Sequence, residues 1–379
     1  MHHPAHLRHS LGLILALATI PASTALGQQV PTSTRRSTGG LADIFQAKSI
    51  QMPDGSERKY ALYVPPQYAD APSHRWPVIL FLHGSVLCGQ DGIKQTYKGL
   101  PKYITSRPDR FPFITIMPQA HAMWFRGEEA HAVWIILDAV LRQYRADPDR
   151  IYVTGLSMGG YGTWELAMTR PDIFAAAIPI AGAGNQAFVS NVRHLAIWAF
   201  HGKLDRNVPV SGSREPIAEL RRLGAEPRYT EFADLPHECW DRAYATQGLW
   251  RWLLKQRRSP PPPIIDHTFP GKGAQVWWLT ALAEEGRSQP SRIHAEITER
   301  QGQKHLELTS EGVAAFALTS ESDPLKPGDT LTITWNGKLL GSGRFTGQLS
   351  YPPPAAPQSQ PTSMPGPRHG GQSGEASSP

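Results

Sequence analysis

Between about residue 45 and residue 258, short continuous apolar runs alternate with stretches whose apolar residues recur every three or four positions. The runs are residues 60–64 (YALYV, stopped by Pro65 and Pro66), 78–82 (VILFL), 113–117 (FITIM), 151–154, 175–181, 196–200 and 228–232 (RYTEF). A segment that is apolar throughout predicts a strand buried on both faces, the habit of parallel sheets. Helical spacing occupies residues 133–144, 158–170 (ended by Pro171), 216–223 (stopped by Gly224) and 248–256. Strand–helix alternation of this kind predicts an α/β fold, a mostly parallel sheet with helices on both faces.

The pattern changes beyond Ser259 and the run Pro260, Pro261, Pro262 and Pro263. Such a run is a stiff linker, and residues 259–263 read as a domain boundary. Short strand candidates follow at residues 275–279 (QVWWL), 294–297, 306–308, 314–318 and 331–335, with Asn336-Gly337 as a hairpin turn. Residues 264–350 therefore predict a small β-sandwich-like domain. Residues 351–379, rich in Pro, Ser, Gly and Gln, predict a disordered tail.

The opposite end reads as a signal peptide over residues 1–27, followed by a flexible leader over 28–44. Arg8 precedes the apolar run 11–20 (LGLILALATI), and Ala25-Leu26-Gly27 places small residues before a cleavage point at Gln28. The run is too short for a spanning helix, which needs about 20 apolar residues. No Cys follows it for a lipid anchor. These features predict a secreted or periplasmic protein without stable membrane insertion. His2, His3, His6 and His9 fall inside the removed segment and are not read as metal ligands.

Composition adds exclusions. A hydrophobic fraction of 40% and eleven Trp in 379 residues suit a sizeable core, not a disordered chain. The formal charge of +6 is spread out, and pairs such as Arg221-Arg222 and Arg257-Arg258 read as solvated surface rather than a nucleic-acid footprint. No zinc pattern or cofactor motif is present, so neither a metal nor a cofactor is expected.

The chemistry concentrates in Gly155-Leu156-Ser157-Met158-Gly159, a G-x-S-x-G nucleophile elbow with a buried strand before it and a small-residue helix after it. The serine of such an elbow sits on a strained turn, and its glycines let the flanking backbones pass. Its hydroxyl stands at the sheet edge beside a helix N-terminus that favours a developing anion. This is the signature of the α/β-hydrolase fold, whose triad runs Ser, acid, His along the chain. Asp205, in His201-Gly202-Lys203-Leu204-Asp205, follows the 196–200 strand onto the carboxyl edge of the sheet, where ligands bind in α/β folds. Asp172, after Pro171, and Asp234, close to the base, read as turn residues. His237 follows the last strand and is the expected general base, and His201 and His83 read as packed. The backbone N–H groups of Ser85 (or Val86) and Met158 are the expected oxyanion donors. Trp124 and Trp240 fall on loops at the same edge and are candidates to face substrate. Cys88 lies on the oxyanion loop and Cys239 on the base loop, so in an oxidising compartment they form a candidate disulfide.

Residues 58–258 also resemble a known group, the secreted bacterial phospholipase/carboxylesterase or "predicted peptidase" esterases, near the feruloyl and polyhydroxybutyrate esterases. The resemblance rests on FLHGS…GQDG, RPDRFPFITIMPQ, DPDRIYVTGLSMGGYGTWELA, IWAFHGKLDRNVPVSGS and HECWDRAY. It implies triad roles for Ser157, Asp205 and His237. One departure is Val86-Leu87-Cys88-Gly89, where members of the group often carry Gly-Glu-Arg-Gly.

Residues 182–194 leave no room for a lid between the sixth strand and the acid, so the site is expected to be open. The expected function is an exported serine carboxylesterase acting on short acyl or carbohydrate-linked esters through an acyl-enzyme. A serine peptidase of the same fold and a non-catalytic wall-binding protein are the alternatives.

Overall fold

Alternating side chains of one strand feed two separate cores. In β3 (Trp76–Leu82), Leu80 and Leu82 point into one apolar cluster and Ile79 and Phe81 into the other, and all seven residues are buried. A strand buried on both faces must lie inside a sheet with cover on each side. The computed structural model, which describes residues 44–124, 127–320 and 322–352, puts it there. The predicted signal peptide, the leader up to residue 43 and the tail from residue 353 lie outside the described residues.

The sheet contains β1 (Gln46–Gln51), β2 (Glu57–Tyr63), β3, β4 (Ile114–Pro118), β5 (Ala146–Leu156), β6 (Ala176–Ile180), β7 (Ala196–Gly202) and β8 (Arg228–Phe232). Its spatial order is β1-β2-β4-β3-β5-β6-β7-β8. The first two joins, β1 to β2 and β2 to β4, are antiparallel, and every join from β4 to β8 is parallel. One face is covered by α2 (Glu128–Gln143), α3 (Met158–Thr169) and α4 (Ser211–Arg222), the other by α1 (Leu100–Thr105), α5 (Trp240–Tyr244) and α6 (Leu249–Lys255). Helix α2 buries Val133, Ile136, Leu137 and Val140, the spacing of a single helical face.

Helix α4 departs from its expectation. It begins at Ser211, five residues before the proline taken to open it. Pro216 lacks the N–H that would bond the carbonyl of Gly212, and that carbonyl instead accepts from the Gly184 amide at 3.1 Å. The helix therefore runs through its proline without an orphaned acceptor.

The C-terminal region builds two further sheets around a third core. One has the order β10 (Gly273–Val276), β11 (Leu279–Ala283), β14 (Val313–Thr319), β17 (Gln348–Tyr351). The other has the order β16 (Lys338–Arg344), β15 (Thr330–Trp335), β13 (Gln303–Glu311), β12 (Ser291–Arg300), β9 (Ile264–Phe269). Asn336 and Gly337 take φ of 47° and 76°, the two positive values a two-residue hairpin turn needs. The run at 275–279, expected as a single strand, is broken. Trp277 turns at φ 47°, and Trp278 is buried with its indole N–H on the Pro262 carbonyl at 2.9 Å. The apolar run thus marks a buried hairpin corner. Tyr351, expected in the tail, closes β17 and stacks on Phe316.

Beyond the polyproline segment the chain is fastened to the first domain. The buried Asn191 side chain donates to the Thr268 carbonyl at 2.7 Å and accepts the Thr268 amide at 3.0 Å. Arg193 also pairs with Asp266 across the same boundary at 3.2 Å.

Two fully enclosed imidazoles set an acid limit on this fold. Burial pushes His83 down to about 4 and His267 down to about 4. His83 Nε2 accepts the Ala120 amide at 3.0 Å, so protonating it breaks a bond. The unfolded chain takes up these protons near the ordinary histidine value of 6.5 while the folded chain resists until about 4. Stability is therefore expected to fall as the pH drops through that window, by at most about 3 kcal/mol for each residue. Urea unfolding at pH 7 and pH 4.5 measures this, and equal midpoints would contradict it.

Candidate active site

Strand β5 ends in the elbow. Ser157 has φ 55° and ψ −119°, a conformation L residues rarely hold. The turn is pinned by its amide on the Ile180 carbonyl at 2.9 Å and by its own carbonyl accepting Gly160 N–H at 2.8 Å. The flanking glycines are required by contact. A Cβ on Gly155 would lie 2.3 Å from the Gly159 carbonyl oxygen, and one on Gly159 only 1.9 Å from that of Leu82.

His237, on the loop after β8, reaches Ser157 Oγ with Nε2 at 2.9 Å and Asp205 Oδ2 with Nδ1 at 2.7 Å. The carboxylate accepts, so Nδ1 carries the proton and Nε2 is left as the acceptor for the serine hydroxyl. The Asp205 side chain is fully buried, and its other oxygen accepts the amides of Asn207 and Val208 at 2.8 and 2.9 Å. Burial alone would raise its pKa. The Val208 amide, the His237 ring and the Asn207 amide outweigh that and hold the carboxyl below its usual range. Sequence reasoning could not find these two amides, because a backbone N–H leaves no mark in residue identity.

Ser85 opens a single 3-10 turn (Ser85–Leu87), and Met158 opens α3. The first N–H of a helical turn has no partner within it, which leaves these two groups for a ligand. Gly84, Ser85, Leu156, Ser157, His237 and Trp240 line an open cleft of about 430 Å³. Lys98 and Glu238, paired at 3.3 Å, sit on its rim. Trp240 meets the His237 ring edge-on, with centroids 5.6 Å apart.

Trp124 does not face this cleft. It is 1% exposed, donates its indole N–H to the His83 carbonyl at 2.8 Å and packs on the His83 ring. It braces the oxyanion loop from behind. The expected disulfide is also absent, and both cysteines are free. Cys88 packs against the core on one face of the sheet and Cys239 lies in the core on the other, so sharing an edge in sequence did not mean sharing a side. Burial pushes the Cys239 thiol up to about 12. Asp172 is paired with Arg170, and Asp234 with Arg242, away from the serine.

The prolyl oligopeptidase family model matches residues 128–191, which hold α2, β5, the elbow and α3. The match includes Ser157 and stops short of Asp205 and His237. A solved thermostable esterase is 33% identical, with a TM-score of 0.51, and the alignment covers 57% of this chain and 64% of that one. The chain has the α/β-hydrolase fold. Among curated relatives, poly(3-hydroxyalkanoate) depolymerase C of Paucimonas lemoignei is 28% identical over 41% of this chain and 43% of its own. Feruloyl esterase B of Neurospora crassa is 29% identical over 40% of this chain and 52% of its own. The chain thus spans about half the length of these curated relatives. They agree with the expected kinship to feruloyl and polyhydroxybutyrate esterases.

Proposed function

We propose that this α/β-hydrolase is an exported serine carboxylesterase that cleaves short acyl or carbohydrate-linked esters through an acyl-enzyme. The observation that carries the proposal is the unbroken chain from Ser157 Oγ through His237 to Asp205 at the floor of an open cleft. In the reaction, Ser157 Oγ attacks the ester carbonyl carbon while its proton passes to His237 Nε2. The tetrahedral oxyanion takes hydrogen bonds from the amides of Ser85 (or Val86) and Met158. His237 returns the proton to the departing alcohol, and the acyl group stays on Ser157. A water then gives His237 a proton and attacks the acyl carbon, and the acid leaves as Ser157 regains its hydrogen. Asp205 holds the His237 tautomer throughout and steadies the imidazolium.

The activities for which the feruloyl esterase and the depolymerase are named support an ester, including a polymer-linked one, as the substrate class. The family match to prolyl oligopeptidases favours a peptidase as the second reading. A panel of acetyl, butyryl, feruloyl and aminoacyl chromogenic substrates separates the two, and cleavage of the aminoacyl substrates alone would replace the proposal by the peptidase. A wholly unreactive serine would leave the wall-binding alternative. Export rests on the 11–20 run and the small residues before Gln28, and the native mature chain is expected to begin at Gln28.

The cleft predicts an order of chain lengths. The cleft is lined by Val86, Leu87, Leu156, Val208 and Trp240, a partly apolar wall that Lys98, Asn207 and Glu238 interrupt. Such a wall accommodates a short acyl chain and offers a long one no continuous apolar cover. Hydrolysis of p-nitrophenyl esters is expected to reach its maximum at C2–C4 and to gain nothing from there to C16, since each CH₂ left in water forgoes the roughly 0.8 kcal/mol that burial would give. A maximum at C16 would refute the open-cleft reading.

A further inference from the structure

Behind Asp205 lies a second imidazole that the reaction above does not use. His201, at the end of β7, is fully buried, and its Nε2 sits 3.2 Å from Asp205 Oδ2, the same oxygen that accepts from His237. That nitrogen is also 3.1 Å from the Val208 carbonyl oxygen. Both neighbours can only accept, so Nε2 must bear a proton. On the far side of the ring, Nδ1 lies 2.7 Å from Ser213 Oγ at the start of α4. Burial is the largest influence on His201 and lowers its pKa, which favours the neutral ring. A neutral ring protonated at Nε2 has a bare Nδ1, and the Ser213 hydroxyl donates to it. The directions then run from Ser213 O–H to His201 Nδ1, from His201 Nε2–H to the Val208 carbonyl with Asp205 Oδ2 sharing the same N–H at 3.2 Å, and from His237 Nδ1–H to that carboxylate oxygen.

We infer that His201 is a positioning residue for the triad, a second donor that fixes the Asp205 carboxylate so that His237 is presented to Ser157 in its reactive tautomer. The loop and strand that carry Asp205, together with the base, give it two amides on Oδ1 and two imidazoles facing Oδ2. Without His201, Oδ2 keeps only the His237 bond, and the carboxylate can rotate about its two amide contacts. Ser213 acts one step further out: its oxygen, 2.7 Å from Nδ1 and 3.3 Å from the Gly182 carbonyl, holds the ring turned with Nε2 toward Asp205. The inference rests on the serine-esterase reading and extends it beyond the three residues in line.

The test uses the full-length mature enzyme, with p-nitrophenyl acetate and a fluorophosphonate probe. His201→Leu keeps the bulk and removes the donor, and is expected to lower kcat by about 10- to 100-fold with KM within about twofold, the size of one hydrogen bond to a charged group. The rate of fluorophosphonate labelling should fall in parallel. His201→Gln can place an amide N–H near the position of Nε2 and is expected to recover at least about tenfold of the loss. A His201→Leu enzyme as fast as the wild type overturns the inference. So does a loss that His201→Gln shares in full, because that would report packing alone. If His201→Leu does not fold, Ser213→Ala carries the test: a lowered kcat at unchanged KM supports the inference and an unchanged kcat overturns it. A wild-type enzyme that neither cleaves the ester nor takes the probe would instead sink the esterase reading, a distinguishable result.

Discussion

Replacing Ser157 by Ala is expected to lower ester hydrolysis by about 10⁴- to 10⁶-fold while leaving the fold in place. The size follows from the arrangement. Ser157 Oγ is the only atom of the Ser157–His237–Asp205 chain that can form the acyl bond, and loss of a nucleophile disables the partners that serve it. What remains is the pair of oxyanion amides and the cleft, which still bind and polarise an ester but cannot be acylated. The fold survives because Ala keeps the Cβ, and the turn at φ 55° is pinned by backbone bonds to Ile180 and Gly160 that the substitution does not touch. The lost contact is one hydrogen bond at a half-open site, so the unfolding temperature should move by only a few degrees. Hydrolysis of p-nitrophenyl acetate and fluorophosphonate labelling provide the measurements. Labelling that persists in Ser157→Ala would show that another nucleophile carries the activity.

The elbow and the three side chains around it were legible in the sequence because each depends on residue identity at a fixed place. The spacing Gly155-x-Ser157-x-Gly159 is a steric requirement, and the acid and the base each follow a strand whose apolar run is unmistakable. The parallel strands were legible for the same reason, since burial on both faces forces a run such as VILFL. What failed depended on which way a side chain turns. Trp124 and Cys88 lie on loops at the catalytic edge, as read, yet both turn inward to the core behind the oxyanion loop. Cys239, two residues from His237, turns to the opposite core. Position along a strand edge does not specify a face in a loop, because the period of two is lost there. The 275–279 run failed differently. Two adjacent tryptophans read as strand, but their bulk fills a corner, and only the positive φ at Trp277 reveals the turn. His201 shows the limit most directly. It was read as packed, which it is, but packing against Asp205 Oδ2 is a chemical contact that no spacing rule distinguishes from burial in apolar surroundings.

The largest structural effect is expected from Gly159→Ala, a change of one methyl group. The added Cβ would stand 1.9 Å from the Leu82 carbonyl oxygen, 2.5 Å from the Leu82 carbonyl carbon and 2.9 Å from the His83 oxygen. All three are backbone atoms. Two belong to Leu82, the last residue of β3, and the third to His83 just after it; β3 is a fully buried strand paired with β4 and β5, so these atoms cannot swing aside as a side chain would. Relief requires α3 to move off β3 or the oxyanion loop to shift, and either motion opens the core where Leu82 and Trp164 are packed. Overpacking a core ordinarily costs about 1–3 kcal/mol. A clash with immobile backbone belongs above that range, at about 4 kcal/mol or more, enough to leave a marginally stable domain largely unfolded. Gly224→Ala is the matched control. That glycine has φ 82° with nothing within 4 Å of the added methyl, so only backbone strain of about 1 kcal/mol is expected. Urea unfolding of the two variants side by side gives the comparison. A Gly159→Ala protein as stable as Gly224→Ala would mean that the elbow and β3 are not packed backbone to backbone, and the oxyanion geometry built on that contact would have to be abandoned.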